Sequence, residues 1–159
     1  MEAVWQELGN PALWTMTALA FLGSVFPVVL FNIDRHKILW TGLGGALGWL
    51  VYSLVLAGSG SAVAGSFCGA FAVNLYSEGM ARVKETPASM FYVPGIFPLV
   101  PGITAYGTIS LVAEGRYDAA LQQGALTLGI GGGIGFGIML SATLVRFVPL
   151  VKRRLRMTR

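Results

Sequence analysis

The stretch Tyr92-Val-Pro-Gly-Ile-Phe-Pro-Leu-Val-Pro-Gly-Ile-Thr-Ala-Tyr106 lies within an uncharged, largely apolar run over residues 89–113. It carries three prolines, Pro94, Pro98 and Pro101, at spacings of four and then three residues. A run of this length is typical of a membrane span, but each interior proline removes an N–H and clashes with a carbonyl one turn earlier. A bilayer core has no water to bond exposed peptide groups, so a disrupted helix survives there only inside protein or beside a wet cavity. This segment therefore predicts a membrane protein whose function lies at a helix break.

The spacing places the three prolines on one narrow helix face. It predicts two half-helices joined by an unwound stretch over 98–102, and the carbonyls of Met90, Pro94 and Phe97 are predicted to lose their helical partners. The second half-helix should begin at Gly102, where its free N–H groups and positive dipole end would attract an anion. A helix that is merely kinked is the alternative interpretation.

The candidate ligand-binding residues at the break are Pro98, Pro101, Gly102, Thr104 and Tyr106. Thr104 and Tyr106 add hydroxyl groups beside the start of the second half-helix. A carboxylate is the class of ligand that a helix N-terminus would suit.

Composition extends the membrane interpretation to the whole chain, since 55% of its 159 residues are hydrophobic and only 11% are charged. Five stretches approach the roughly 20 apolar residues that a spanning helix needs. They cover residues 12–31, 38–57, 61–81, 89–113 and 119–145. We expect an all-α integral membrane protein that forms one transmembrane domain over 1–159, with a short basic cytoplasmic tail over 146–159.

The basic residues predict the orientation of these spans. Ten of the eleven Lys and Arg residues follow the first, third or fifth span, and only Arg116 falls on the opposite side. Cytoplasmic loops carry the excess of Lys and Arg, so the N-terminus should lie outside and the C-terminus inside. The positive charge sits at membrane boundaries without interleaved aromatic residues, which argues against a nucleic-acid partner.

Helix starts and glycine rows give further expectations. Asn10-Pro11 is predicted to cap the first span, and Thr86-Pro87 is predicted to repeat that device before the fourth. Glycines recur every four residues at 44/48, 65/69, 129/133/137 and 131/135, a spacing that favours close helix packing. The glycine-rich runs over residues 41–48 and 129–137 both lack the Lys-Ser/Thr of a phosphate-binding loop.

Asn74 and Glu78 lie one turn apart on the third span. Asn74 is a candidate for hydrogen bonding across helices or to substrate. Glu78 is a candidate proton carrier, because ionisable residues inside membranes are often functional. Its alternative role is an ion pair with Arg82, four residues later. His36 is interpreted as a solvated loop residue.

No enzyme constellation is present in the sequence. One His, one Cys and no clustered acids exclude an obvious metal site or a nucleophile with an adjacent base. We therefore expect neither enzymatic activity nor a metal or cofactor.

The run Pro98-Leu-Val-Pro-Gly-Ile-Thr-Ala-Tyr106, in a chain of this length with five predicted spans, resembles the C-terminal half of the threonine/serine exporter family. It is most similar to the small membrane subunit of the two-component, succinate-type exporters. Phe31-Asn32 also fits that pattern, and the similarity covers nearly the whole chain.

The resemblance implies a secondary exporter of small carboxylate metabolites, threonine and serine or a succinate-like dicarboxylate, in the bacterial inner membrane. It implies a larger membrane subunit as partner, and a homo-oligomer stays open as a further assembly. A non-transporting scaffold that stabilises a partner is the alternative, and a channel is the third possibility.

Overall fold

The computed structural model describes residues 2–30 and 37–157, with side chains described over 4–28 and 37–147. These residues form seven α-helices and no strand, which confirms the all-α fold class. The helices are α1 (Glu2–Leu8), α2 (Pro11–Leu30), α3 (Ile38–Ser59), α4 (Ala62–Val83), α5 (Ser89–Gly95), α6 (Gly102–Ala113) and α7 (Tyr117–Met157), with a 3-10 turn (Phe97–Leu99) between α5 and α6.

Three of the described helices, α2, α3 and α7, are long and apolar enough to cross a membrane. The pair α5 and α6 makes a fourth crossing if the two bent halves are counted as one span. The 22 residues of α4 would reach about 33 Å at roughly 1.5 Å per residue, but α4 is not apolar enough to be counted among the described helices that qualify. The chain is therefore a membrane protein, and its five-span arrangement stays a prediction.

α4 lies in the middle of the bundle, packed between α3 and α7. A Cβ added at Gly69 would lie 2.8 Å from the carbonyl oxygen of Gly48 on α3. A Cβ added at Gly137 of α7 would lie 2.5 Å from the carbonyl oxygen of Phe67 on α4. Glycine thus lets both neighbours approach the backbone of α4 closely.

Most of the predicted glycine rows are confirmed as packing rows. The rows 44/48 and 65/69 join α3 to α4, and the row 129/133/137 joins α7 to α4. The pair Gly131 and Gly135 faces open space, with no neighbouring heavy atom of the described chain within 4 Å. The prediction that this pair packs closely is therefore wrong within the described chain.

One of the two predicted helix starts is confirmed. α2 begins at Pro11, and the N–H of Ala12 donates to Asn10 Oδ1 at 3.0 Å. The Thr86-Pro87 prediction is wrong, because α5 begins only at Ser89 and its capping residue makes no side-chain bond. Thr86 instead donates its N–H to the carbonyl of Ala81 at 3.1 Å, so it belongs to the end of α4.

The last helix is longer than the predicted fifth span. α7 continues without interruption through Met157, well past residue 145. Its 41 residues correspond to about 60 Å, roughly twice the thickness of a bilayer core. The basic segment is therefore a helical extension of the span rather than a separate coil.

Two described contacts of charged side chains lie near the ends of helices. Lys84 Nζ lies 4.9 Å from the centre of the Trp40 ring, a cation–π contact between the ends of α4 and α3. Arg116 pairs with Glu114 at 3.5 Å in the turn between α6 and α7. The predicted loop residue His36 and the Phe31-Asn32 pair lie outside the described residues.

Gly137→Ala is expected to destabilise the bundle by about 1–3 kcal/mol, because the added methyl group meets backbone that cannot move aside. The expected result is a lower thermal midpoint of the purified protein in detergent.

Gly131→Ala is the matched control, since it makes the same change on the same helix where space is open. It should be neutral or stabilising by up to about 1 kcal/mol through helix propensity. Equal midpoints for the two variants would contradict the packing described for α4 and α7.

Candidate functional site

A break is present in this helix, over residues 96–101 instead of the predicted 98–102. α5 ends at Gly95, just after Pro94, and α6 begins at Gly102 as predicted. Between them the chain makes the 3-10 turn and then extends at Val100, where φ is −62° and ψ is 129°. The two half-helices are bent by 49° relative to each other.

The break satisfies part of its own backbone hydrogen bonding. The N–H of Leu99 donates to the carbonyl of Ile96 at 2.9 Å, and that of Val100 donates to the carbonyl of Phe97 at 3.2 Å. The carbonyl of Phe97 therefore accepts a hydrogen bond even though its α-helical donor is lost, as predicted. Pro101 removes the α-helical donor for Phe97, but the tighter 3-10 turn supplies one three residues away.

The first half of the break is held against the glycine faces of α3 and α4. The side chain of Leu99, 5% exposed, fills the space beside Gly48 and Gly69. A Cβ added at Gly95 would lie 2.9 Å from Val73 and 3.7 Å from the backbone nitrogen of Gly45. Small residues on α3 and α4 thus form the groove that receives the irregular backbone.

The second half of the break begins uncapped. No side chain caps the start of α6, and Gly102 is exposed. The N–H of Gly102 bonds to the carbonyl of Val100 at 2.8 Å. Thr104 donates its hydroxyl to the carbonyl of Pro101 at 3.1 Å, so this side chain closes the first turn of α6. The following N–H groups, of Ile103 and Thr104, have no capping acceptor among the described residues.

The candidate residues divide between two sides of the break. Pro98, Pro101 and Thr104 are half-buried, on the side facing the bundle. Tyr106 is 74% exposed and points away from the bundle. Positions 104 and 106 are about 200° apart around a helix, so the two hydroxyls that sequence reasoning placed together lie on different faces of α6.

Asn74 bonds across helices, one of the two roles considered for it. Its side chain is 1% exposed, and its amide donates to Ser141 Oγ on α7 at 2.8 Å. A longer contact of 3.5 Å reaches the carbonyl of Ile138. These bonds tie α4 to α7, whereas Val73 next to it packs against Gly95 at the break.

Glu78 is half-buried near the end of α4. Glu78 and Arg82 do not form an ion pair in the described chain. The ion pair with nitrogen and oxygen within 4.0 Å among the described residues joins Arg116 to Glu114. The i,i+4 pair that the spacing favours is therefore not formed. Because Arg82 is exposed, such a pair would gain only about 0.3–0.5 kcal/mol, too little to hold both side chains in place.

Sequence reasoning missed Ser141, the buried partner of Asn74. Ser141 continues the four-residue row of Gly129, Gly133 and Gly137 on α7, and that continuation is the signal that could have found it. Sequence reasoning also missed Ser24, which is fully buried on α2. The Ser24 hydroxyl has no hydrogen-bond partner in the described chain, and it lies in tight contact with Gly45.

A bundle of apolar helices that includes one proline-broken helix is an arrangement found in membrane transporters. The family model described as "Threonine/Serine exporter, ThrE" matches residues 16–144, a range that includes the break, and the chain belongs to this family. The family is one of transporters, which are generally not enzymes. Neither the curated proteins nor the solved structures give a match to the chain.

A double-mutant cycle of Asn74→Ala and Ser141→Ala should give a coupling energy of about 0.6–1.7 kcal/mol, between the average and the maximum found for polar pairs in membrane bundles. The measurement is equilibrium unfolding of the purified protein in mixed micelles.

The control cycle pairs Asn74→Ala with Thr143→Ala. Thr143 is exposed on the same helix, and its hydroxyl bonds to the carbonyl of Met139. Coupling should be close to zero there. A zero value for the Asn74 and Ser141 cycle would remove the interhelical role assigned to Asn74.

Proposed function

We propose that this chain is one half of a secondary exporter for small carboxylate metabolites in the bacterial inner membrane. The observation that carries the proposal is the break over 96–101. One side of it is fixed against the glycines of α3 and α4, and its other side opens as an uncapped helix start at the edge of the bundle.

Five spans form the membrane domain in this proposal, with α4 as the span that hydropathy alone does not count. The polar residues of α4 include Ser66, Asn74 and Ser77, and all three are at most 1% exposed. Polar side chains are tolerated in a membrane helix when they face other helices instead of lipid. The central position of α4 between α3 and α7 supports that arrangement.

The N-terminus lies outside and the C-terminus lies in the cytoplasm. Ten of eleven basic residues then fall on the cytoplasmic side. Lys84 stacks on Trp40 at that side, a placement typical of residues at a membrane–water boundary. The basic end of α7 extends beyond the bilayer towards anionic headgroups.

The substrate carboxylate binds at the start of α6. The free N–H groups of Ile103 and Thr104 and the positive end of the helix dipole favour an anion at Gly102. Gly102 itself leaves room, since nothing lies within 4 Å of its missing side chain in the described chain. Threonine or serine and a succinate-like dicarboxylate are both candidates, because each presents a carboxylate.

A larger membrane subunit completes the site. α6 packs mainly against α7 and has no buried residue. Its outward face carries Ile103, Tyr106 and Ile109, each at least 69% exposed. A partner that covers this face would close the pocket at Gly102, which agrees with the resemblance to the small subunit of two-component exporters. A second copy of the chain is the alternative occupant of the same face.

Pro98→Ala with Pro101→Ala should abolish export, because a continuous helix from α5 into α6 would remove the free N–H groups at the break. The measurement is efflux of labelled threonine and labelled succinate from liposomes that contain the chain together with its partner subunit.

Pro87→Ala is the matched control, since Pro87 lies in the exposed turn before α5. It should leave export unchanged, and all variants should insert at the same level. Full activity of the double variant would contradict the proposal.

Saturable efflux distinguishes an exporter from a channel. A partner that transports equally well without this chain would make the chain a scaffold.

Glu78→Gln should remove the pH dependence of export while the protein level stays unchanged, if Glu78 carries the coupling proton. The absence of a pair with Arg82 within the described chain supports this role over an ion-pair role. Efflux is measured over a range of pH in the same liposomes.

Glu85→Gln is the control for this variant, because Glu85 is exposed in the turn after α4. It should keep the pH dependence. A Glu78→Gln protein that is expressed poorly but retains normal pH dependence would assign Glu78 a structural role.

A further inference from the structure

A cavity of about 390 Å³ lies at the end of the bundle where α1, the start of α2 and the end of α3 meet, away from the broken helix. This size is within the range of small-molecule sites. Its apolar walls come from Ala12, Leu13, Met16, Leu56 and Ala57, and its polar and aromatic lining comes from Glu7, Trp49, Tyr52 and Ser53.

Glu7 gives this cavity a negative charge. Glu7 is half-buried, and its carboxylate forms no hydrogen bond or ion pair with a described residue. No Lys or Arg lines the cavity. A carboxylate beside apolar walls interacts more strongly with an opposite charge than one in bulk water, so the cavity favours a cation and disfavours a dicarboxylate.

Two aromatic rings define the kind of cation. Trp49 and Tyr52 pack against each other with ring centres 5.2 Å apart and planes tilted by 37°. Indole and phenol rings attract ammonium groups placed over their faces, and Ser53 adds a hydroxyl that can accept a hydrogen bond. A bare metal ion would lack ligands here, since no cluster of three or more His, Cys, Asp or Glu exists in the described chain.

We propose that this cavity binds a primary ammonium group on a small apolar body. The group belongs either to a free small amine or to an ethanolamine lipid headgroup, because the cavity lies at the ends of membrane helices. This site is separate from the proposed carboxylate site at Gly102, and its test does not depend on export.

The test uses the full chain purified in dodecyl maltoside micelles, which carry no ammonium group. Isobutylammonium chloride is titrated and its binding followed by saturation-transfer NMR, with isobutanol as the neutral analogue of the same shape. The ammonium should bind saturably and at least about tenfold more tightly than the alcohol, as expected for a charge-assisted contact.

Glu7→Gln should weaken ammonium binding by about tenfold or more, and Glu7→Asp should retain part of the affinity. Trp49→Leu should weaken it by about two- to fivefold through the lost ring face. Glu114→Gln removes a carboxylate that does not line the cavity and should have no effect. Equal affinity for the alcohol, or unchanged affinity in Glu7→Gln, would overturn the proposal.

Short-chain lipids identify the source of the ammonium. Competition by dihexanoyl phosphatidylethanolamine, but not by dihexanoyl phosphatidylglycerol, would support the cavity as a headgroup site. Saturable isobutylammonium binding that neither lipid displaces would support a site for a free amine. Equal competition by both lipids would contradict recognition of the ammonium group.

Discussion

Every backbone N–H and C=O inside a bilayer must find a partner within the protein, and the proline-broken helix of this chain depends on that constraint. The 3-10 turn meets part of the demand, since Ile96 and Phe97 accept hydrogen bonds from residues three positions later. The inner side of the irregular segment is shielded by protein. Leu99 and Gly95 fit against the glycines of α3 and α4, and side chains at those positions would push the break outward, towards lipid.

The same requirement explains how α4 can belong to the bundle although it is not apolar enough to be counted as a span. A helix that two neighbours approach through glycines has little surface left for lipid, so it can carry Ser66, Asn74 and Ser77 without exposing them. The bond from Asn74 to Ser141 then fixes α4 to α7, beside the Val73 side chain that packs at the break. The polar residues of α4 make it too polar to be counted as a span by composition alone. They are compatible with a membrane because α4 lies between other helices.

The sequence predicted features that local chemistry decides. Prolines and glycines located the break and the restart at Gly102, and Asn10 located the start of α2. Features that need a neighbour were predicted less well. The hydroxyls of Thr104 and Tyr106 diverge because helical geometry separates positions two apart. Gly131 and Gly135 face outward because α7 packs against α4 through the row of Gly129, Gly133 and Gly137. Thr86 was assigned to the wrong helix because its N–H serves the end of α4.

The two sides of the break differ in how firmly they are held. α5 buries Phe91, Pro94 and Gly95 against the bundle, whereas α6 buries no residue and packs mainly against α7. A ligand at Gly102 would therefore lie between a wall fixed by α3 and α4 and a helix supported along one side. Binding energy gained there could tilt α6 relative to α5 through the backbone of residues 100–102, which follow the buried Leu99. The carboxylate site proposed at Gly102 would then adjoin this hinge, and a binding site beside a hinge suits alternating access.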